Sequence, residues 1–204
     1  EYVVFLTADH GVVSNPDYLK HQGKQGGFVE IPILQKKLES TYLKKYKANN
    51  FIEKIENNNI YFNLKALKAR KIGLKNIFFD TKQILSKYEG IEVVFERDSL
   101  IQNEQSAYKA KMVKNGLTQK SGDLIFLTKE GYLPINKAAS IYRGTSHGSV
   151  WNYDTHVPLL FFGNGIPTSI RKNRVNITDI TPSVLKYLNI DTDGDFSGKE
   201  FELK

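Results

Sequence analysis

The pattern of apolar and polar positions along the chain predicts short strands separated by amphipathic helices. Three nearly continuous apolar runs predict buried strands of a parallel or mixed sheet, at residues 2–6, 123–128 and 158–163. Apolar residues at helical spacing predict a helix over about 35–48. Two short strands are predicted on either side of the turn Asn57-Asn58-Asn59.

Capping residues predict where several further helices begin. Asp80 or Thr81 is expected to cap one helix, and residues 98–114 are expected to form another. Thr181 followed by Pro182 predicts an N-cap with proline at the first helical position. The buried face of this helix is expected to be formed by Val184, Leu185 and Leu188.

Three regions are distinguished by their composition. Residues 1–35 hold the first strand and a long polar loop, and residues 123–204 return to apolar strands and a closing helix. Residues 36–122 are rich in lysine and asparagine and predict a small α+β insertion. This insertion has neither metal-ligand spacing nor a nucleophile signature, so we expect no chemistry from it.

Composition and charge exclude several classes of function. The chain has 204 residues, of which 40% are hydrophobic and 25% charged, as in ordinary globular proteins. Its net charge of +7 comes from scattered lysines, which predict a solvated surface and no nucleic-acid partner. No apolar run has the roughly 20 residues needed to span a membrane. The absence of cysteine excludes disulfides and thiolate-bound metals.

The first informative motif is Thr7-Ala8-Asp9-His10-Gly11, directly after the first apolar run. Asp9 and His10 place a carboxylate oxygen and an imidazole nitrogen together where a strand ends, and both are suitable zinc ligands. Gly11 allows the backbone to turn away. The motif alone is equally compatible with an aspartate that caps a turn beside a surface histidine.

A second motif contains two of the four histidines within ten residues. His147 is flanked by small residues and glycines, and His156 directly precedes an apolar strand. Each histidine taken alone is more often structural than a metal ligand.

Three segments together resemble the alkaline phosphatase superfamily, most closely its phosphate-irrepressible branch and the related nucleotide pyrophosphatases and phosphodiesterases. These segments are TADHGVVSNPDYLKHQGKQGG, GTSHGSVWNYDTHVPLLFFGNGI and NITDITPSVLKYLNIDTDGDFSG, which cover residues 7–27, 144–166 and 176–198. They occur in the order found in that family. The resemblance implies an alkaline-phosphatase-like α/β sheet core flanked by helices.

The resemblance also implies two Zn²⁺ ions in a complete site. Asp9 and His10 match the ligands of one zinc ion, and His147 matches a ligand of the other. His156 is the alternative ligand, and Asp154 is a candidate for orienting a ligand ring. The family's nucleophile and remaining ligands would lie upstream of Glu1, so no catalytic nucleophile is assigned in this chain.

These features lead us to expect the carboxy-terminal part of a periplasmic or secreted zinc-dependent phosphatase. Its substrate would be a small phosphate monoester, its partner would be the amino-terminal half of the same protein, and the chain would be inactive alone. A phosphodiesterase, nucleotide pyrophosphatase or sulfatase of the same superfamily stays open. So does a non-catalytic basic α/β binding module.

Overall fold

A computed structural model describes residues 2–104, 107–191 and 193–203. The chain divides into two compact units. Unit 1 consists of the residues up to Gly11 together with those from His156 onward, and unit 2 consists of Val12–Thr155. The predicted division into regions 1–35, 36–122 and 123–204 rests on composition and stays a prediction.

The chain folds as a mixed α/β structure of short elements. The strands are β1 Val3–Leu6, β2 Gly27–Glu30, β3 Ile52–Glu56, β4 Asn59–Phe62, β5 Ile91–Glu96, β6 Leu124–Thr128, β7 Tyr132–Ile135 and β8 Leu160–Gly163. The helices are α1 Pro16–His21, α2 Ile31–Tyr46, α3 Leu64–Ala69, α4 Leu74–Leu85, α5 Arg97–Gln102, α6 Tyr108–Asn115, α7 Asn152–Thr155 and α8 Ile180–Tyr187. Among the described residues, no helix has the length and apolar character needed to cross a membrane.

Unit 2 is organised around a four-stranded sheet in the order β3-β4-β6-β5. Every pairing in it is antiparallel. All five residues of β6 are buried, which confirms the buried strand predicted at 123–128, although its neighbours are antiparallel. Helices α2 and α4 contribute apolar side chains to this core, including Leu38 and Ile77, which are fully buried.

The hairpin between β3 and β4 turns at Asn57 and Asn58, as predicted. Both residues have positive φ, at 47° and 63°, a conformation that asparagine tolerates better than most residues. The helix expected at 35–48 is also present, as α2. It begins four residues earlier than expected, and Pro32 lies in its first turn, where its missing N–H is not needed.

The predicted polar loop after the first strand contains regular structure. Asn15 caps α1 by accepting a hydrogen bond from the Asp17 N–H, and Pro16 occupies the first turn. Strand β2 then pairs in parallel with β7. Because β7 lies about a hundred residues downstream, no local sequence pattern identifies this pairing.

The predicted helix start at Asp80 or Thr81 is wrong, because α4 runs through both residues. Their polar groups bind distant partners instead of capping a helix. The Thr81 hydroxyl lies 2.6 Å from the Tyr42 hydroxyl, and Asp80 accepts a 2.6 Å hydrogen bond from Lys45. The helix expected at 98–114 is divided into α5 and α6, and residues 105 and 106 of that prediction lie outside the described residues.

Unit 1 contains β1 and β8, which form an antiparallel two-stranded ribbon. The expectation that these strands are buried is wrong. Val4 is 54% exposed, Leu6 is 61% exposed and Phe162 is 69% exposed. The register places these three residues on one face of the ribbon, and Phe5 on the other face is 46% exposed, so both faces keep exposed apolar side chains.

Helix α8 begins one residue before the predicted cap at Thr181. A 3-10 helix, Ile177–Asp179, precedes it and is stabilised by a reciprocal capping box between Asn176 and Asp179. The main-chain N–H groups of Asn176 and Lys199 donate to the Asp179 carboxylate, which holds its pKa below the usual value. The carboxylate therefore joins the helix start to the end of the chain.

The buried face predicted for α8 is largely wrong. Leu188 is 52% exposed, and the buried residues of the helix are Ile180 and Ser183. The Ser183 hydroxyl donates to the Asp179 carbonyl and accepts from the Phe201 N–H. Val184 and Leu185 are only half-buried, and the fully buried position between Ile180 and these residues is a serine with two hydrogen bonds.

Candidate metal centre

Asp9 and His10 lie in unit 1, just after β1. The Asp9 Oδ1 atom accepts a 3.0 Å hydrogen bond from the His10 main-chain N–H. The Asp9 Oδ2 atom lies 3.5 Å from His10 Nε2. The Asp9 side chain is 85% exposed and that of His10 is 37% exposed. The two potential ligands are therefore adjacent and accessible.

The His10 ring is oriented by a main-chain contact. Its Nδ1 atom lies 2.9 Å from the Gly11 carbonyl oxygen, which can only accept a hydrogen bond. With the proton on Nδ1, the ring's lone pair is on Nε2, the nitrogen that faces the Asp9 carboxylate. The Nε2 lone pair and the Asp9 carboxylate oxygen repel each other, and a cation bound between them would remove this repulsion. The donor chemistry of this pair therefore fits zinc, which accepts both ligand types.

His147 lies in unit 2, in a turn shaped by two glycines. Gly144 has φ of 109° and Gly148 has φ of 103°, values at which a side chain would be strained. The turn is held by contacts with residues 13–15. The Asn15 side-chain amide donates to the Gly144 carbonyl at 2.9 Å, and the Thr145 hydroxyl donates to the Val13 carbonyl.

Asp154 fixes the backbone immediately after His147. Its carboxylate is buried, and Oδ2 accepts a 2.7 Å hydrogen bond from the Ser149 N–H. The indole of Trp151 donates to the Thr128 carbonyl at 3.1 Å, which attaches the same segment to β6. Asp154 therefore holds the backbone of the His147 loop, and its expected role in orienting a ligand ring stays a prediction.

A cavity of about 430 Å³ lies in unit 2 and is lined by His147, Asp154, Ser149, Tyr153 and Asn58, among others. Burial raises the pKa of Tyr153, and a hydrogen bond with Ser149 partly opposes this shift. Sequence reasoning missed Asn58 as a cavity residue. No local signal was available, because the sequence identifies this asparagine only as part of a hairpin turn.

The candidate ligands are distributed over the two units. Asp9 and His10 are adjacent in unit 1, whereas His147 belongs to unit 2. His156 lies in unit 1 and is exposed. In the part of the chain that the structure describes, no three or more His, Cys, Asp or Glu side chains are grouped to hold a metal ion. The assignment of Asp9, His10 and His147 as ligands, with His156 as the alternative, therefore stays a prediction.

Sequence and structure comparisons identify the family. No family model matches the chain. The chain is 32% identical over 192 residues, or 93% of its length, to alkaline phosphatase PafA of Elizabethkingia meningoseptica. It is 29% identical over 201 residues, or 97% of its length, to alkaline phosphatase PhoV of Synechococcus elongatus. The crystal structure of wild-type PafA superimposes on 98% of the chain with a TM-score of 0.80 and 29% identity.

The chain belongs to the alkaline phosphatase superfamily. Its α/β architecture matches the corresponding part of the PafA alkaline phosphatase fold. The aligned residues make up 34% of PafA and 35% of PhoV, and 37% of the PafA crystal structure. The chain therefore spans about a third of the length of these alkaline phosphatase relatives.

Proposed function

We propose that this chain is the carboxy-terminal part of a zinc-dependent alkaline phosphatase that hydrolyses phosphate monoesters through a binuclear metal site. The similarity to PafA over 93% of the chain carries this proposal. The adjacent Asp9 carboxylate and His10 imidazole support it, because their donor chemistry fits zinc. Within this chain Asp9 and His10 would bind one zinc ion, and His147 would bind the other.

The two proposed histidine ligands each have a residue that positions them. In the neutral ring, the Gly11 carbonyl would hold the His10 Nδ1 proton and so leave the Nε2 lone pair beside the Asp9 carboxylate. Asp154 fixes the peptide of Ser149, two residues after His147. When bound, a pair of zinc ions stabilises the charge that develops on the attacking and leaving oxygens during phosphoryl transfer. The nucleophile would come from the part of the protein that this chain does not span.

The exposed ribbon β1–β8 supports the proposal that this chain works as part of a larger molecule. Apolar side chains on two paired strands, such as Phe162, usually lie against other structure. The remaining part of the phosphatase is the proposed partner of this surface. The isolated chain would therefore lack both a nucleophile and a covered ribbon, and we expect it to be inactive alone.

The proposed substrate is a small phosphate monoester, and the proposed location is the periplasm or the extracellular space, as the family resemblance implies. The alternatives make different predictions about substrate preference. A phosphodiesterase or nucleotide pyrophosphatase would hydrolyse bis-p-nitrophenyl phosphate faster than p-nitrophenyl phosphate. A sulfatase would prefer p-nitrophenyl sulfate.

A chimera tests the proposal. Residues 1–204 of this chain replace the matching third of PafA, and folding is verified by circular dichroism before assay with p-nitrophenyl phosphate and zinc. We expect hydrolysis by the chimera and none by the isolated chain. Robust turnover by the isolated chain, or a folded but inactive chimera, would contradict the proposal. The second result would favour a non-catalytic binding module.

Variants of the chimera test the ligand assignment. Asp9→Asn, His10→Gln and His147→Gln should each reduce turnover by more than roughly 100-fold, the upper range for groups that only orient metal ligands. His21→Gln is the control, because His21 lies at the end of α1 and is exposed. Loss of activity in His156→Gln together with normal activity in His147→Gln would transfer the ligand role to His156.

A further inference from the structure

The cavity beside His147 contains two buried oxygen atoms that lack a hydrogen-bond donor among the described residues. These atoms are Asn58 Oδ1 and Asp154 Oδ1, and both residues line the cavity. Asp154 is only 4% exposed, so its carboxylate is shielded from bulk water. Buried acceptors are normally paired, and a charged acceptor without a partner is especially unfavourable.

One residue is held by its side chain and the other by its main chain. Asp154 Oδ2 accepts a 2.7 Å hydrogen bond from the Ser149 N–H, which fixes the carboxylate. The Asn58 main-chain oxygen accepts a 3.0 Å hydrogen bond from the Phe126 N–H in β6, which fixes the backbone that carries the amide. The two side-chain acceptors therefore require hydrogen-bond donors from a ligand or from solvent.

The charge of the cavity favours a cationic ligand. Its acidic lining residues are Asp154 and Glu56, and none of the lining residues within the described part of the chain is lysine or arginine. Glu56 already pairs with Lys54 at 2.7 Å, so Asp154 supplies the unbalanced negative charge. Apolar walls, including Ile31 and Leu133, complete the cavity.

The two acceptors Asp154 Oδ1 and Asn58 Oδ1 alone suit a metal ion poorly, because calcium takes six to eight oxygen ligands and these residues offer only two oxygens without a partner among the described residues. The volume of about 430 Å³ is that of a small-molecule site. A primary ammonium group carries three N–H donors, which suits two acceptors and leaves one donor for solvent. The aromatic ring of Tyr153 adds a surface suited to a cation.

We propose that this cavity binds the primary ammonium group of a small organic cation, with Asp154 Oδ1 and Asn58 Oδ1 accepting its N–H bonds. His147 lines the same cavity. If His147 is a zinc ligand, which rests on the proposed function, the cation is the leaving-group half of the substrate. The substrate class is then a phosphate monoester of an amino alcohol.

Calorimetric titration of the purified 204-residue chain in metal-free buffer tests the ammonium site. The probe is 2-aminoethanol, and two analogues are matched to it. Ethylene glycol replaces the ammonium by a neutral hydroxyl group, and choline keeps the positive charge but has no N–H donor. We expect 2-aminoethanol to bind at least tenfold more tightly than either analogue. Binding of all three with equal affinity, or of none, would overturn the proposal and leave solvent as the occupant.

Two variants separate the ammonium site from effects on folding. Asp154→Asn keeps an oxygen for the Ser149 N–H, and Asn58→Gly suits the positive φ of that position. Each should weaken 2-aminoethanol binding by roughly tenfold without loss of the folded circular dichroism spectrum. The control Asp98→Asn makes the same chemical change on an exposed carboxylate outside the cavity and should have no effect. Unchanged binding in Asp154→Asn would contradict the proposal.

Because 2-aminoethanol is titrated without metal, the result tests the ammonium site separately from the proposed zinc-dependent phosphatase function. Selective binding of 2-aminoethanol by a chain that fails to bind zinc would support the ammonium site and count against the proposed phosphatase function. Zinc binding without selectivity for 2-aminoethanol would count against the ammonium site alone.

Discussion

The two units differ in how far they bury apolar strands. In unit 2, β6 is buried along its whole length between two antiparallel neighbours, and Phe126 is fully buried. In unit 1, β1 and β8 have an equally apolar sequence, yet Phe162 is 69% exposed. The apolar character of a run therefore does not determine its burial. The elements packed on either side of the run do, and β6 has them within this chain.

The difference in burial between the units bears on metal binding, because the candidate metal ligands Asp9 and His10 come directly after β1, a strand of the exposed ribbon. The cavity with Asp154 and Asn58, in contrast, belongs to the unit with the well-covered core. We therefore expect the ammonium site to be formed in the isolated chain. We expect metal affinity to increase when the rest of a phosphatase covers the ribbon.

The largest expected effect comes from truncating matched phenylalanines in the two units. Phe126→Ala removes a fully buried ring and should reduce the free energy of unfolding by about 3–5 kcal/mol. Phe162→Ala should change it by less than about 0.5 kcal/mol, because the ring is exposed. Urea denaturation followed by circular dichroism measures both values. Equal losses in the two variants would show that the ribbon is covered.

A smaller effect is expected at Asp179, which stabilises the start of α8 in unit 1. Its carboxylate accepts from the Asn176 and Lys199 N–H groups, and Asp179→Asn should reduce local stability by about 1–2 kcal/mol at pH 7. Hydrogen exchange of the α8 amides measures this loss. Glu200→Gln is the control, since its pair with Lys186 is exposed to solvent and should contribute much less than the Asp179 carboxylate.

The stabilising effect of the Asp179 carboxylate is expected to depend on pH. Because the folded-state pKa of Asp179 lies below the ordinary value of an aspartate in an unfolded chain, its stabilisation is fully present above that ordinary value. It is lost as the pH falls from the ordinary pKa, about 3.9, through the lower folded-state pKa. The difference between wild type and Asp179→Asn should therefore disappear in strong acid. A difference that stayed constant with pH would show that the carboxylate charge is not responsible.

The smallest expected effect concerns the hairpin turn in unit 2. Asn58 has φ of 63°, so Asn58→Ala should cost about 1 kcal/mol in the free energy of unfolding. Asn58→Gly should be neutral or slightly stabilising, because Asn-Gly is a favoured pair for this turn. Thermal unfolding compares the two variants. Equal stability of the alanine and glycine variants would contradict the role assigned to backbone conformation.

Local sequence signals predicted the parts of the fold that depend on nearby residues. The β3–β4 hairpin follows from asparagines that tolerate positive φ, and α2 follows from its apolar spacing. The Asp80 or Thr81 cap failed because these side chains bind Lys45 and Tyr42, more than thirty residues away. The exposure of β1 could not be foreseen, since an apolar strand has the same sequence whether or not it is covered.

The candidate site likewise has parts that local sequence motifs indicate and parts that depend on contacts between distant residues. Asp9, His10 and His147 were selected from motifs that are contiguous in sequence, and the family they indicated is confirmed by the comparisons. The cavity that joins Asn58 to Asp154 was missed, because almost a hundred residues separate them. Only the folded chain shows that, among the described residues, neither Asn58 Oδ1 nor Asp154 Oδ1 has a hydrogen-bond donor.

Calorimetric zinc titration of this chain tests the central claim most directly. The account predicts that Asp9→Asn and His10→Gln each weaken zinc binding by about tenfold or more, a loss of roughly 1.4 kcal/mol. It predicts no change for His21→Gln. Zinc affinity that is the same in the Asp9 and His10 variants as in the unmodified chain would contradict the assignment of this pair as metal ligands.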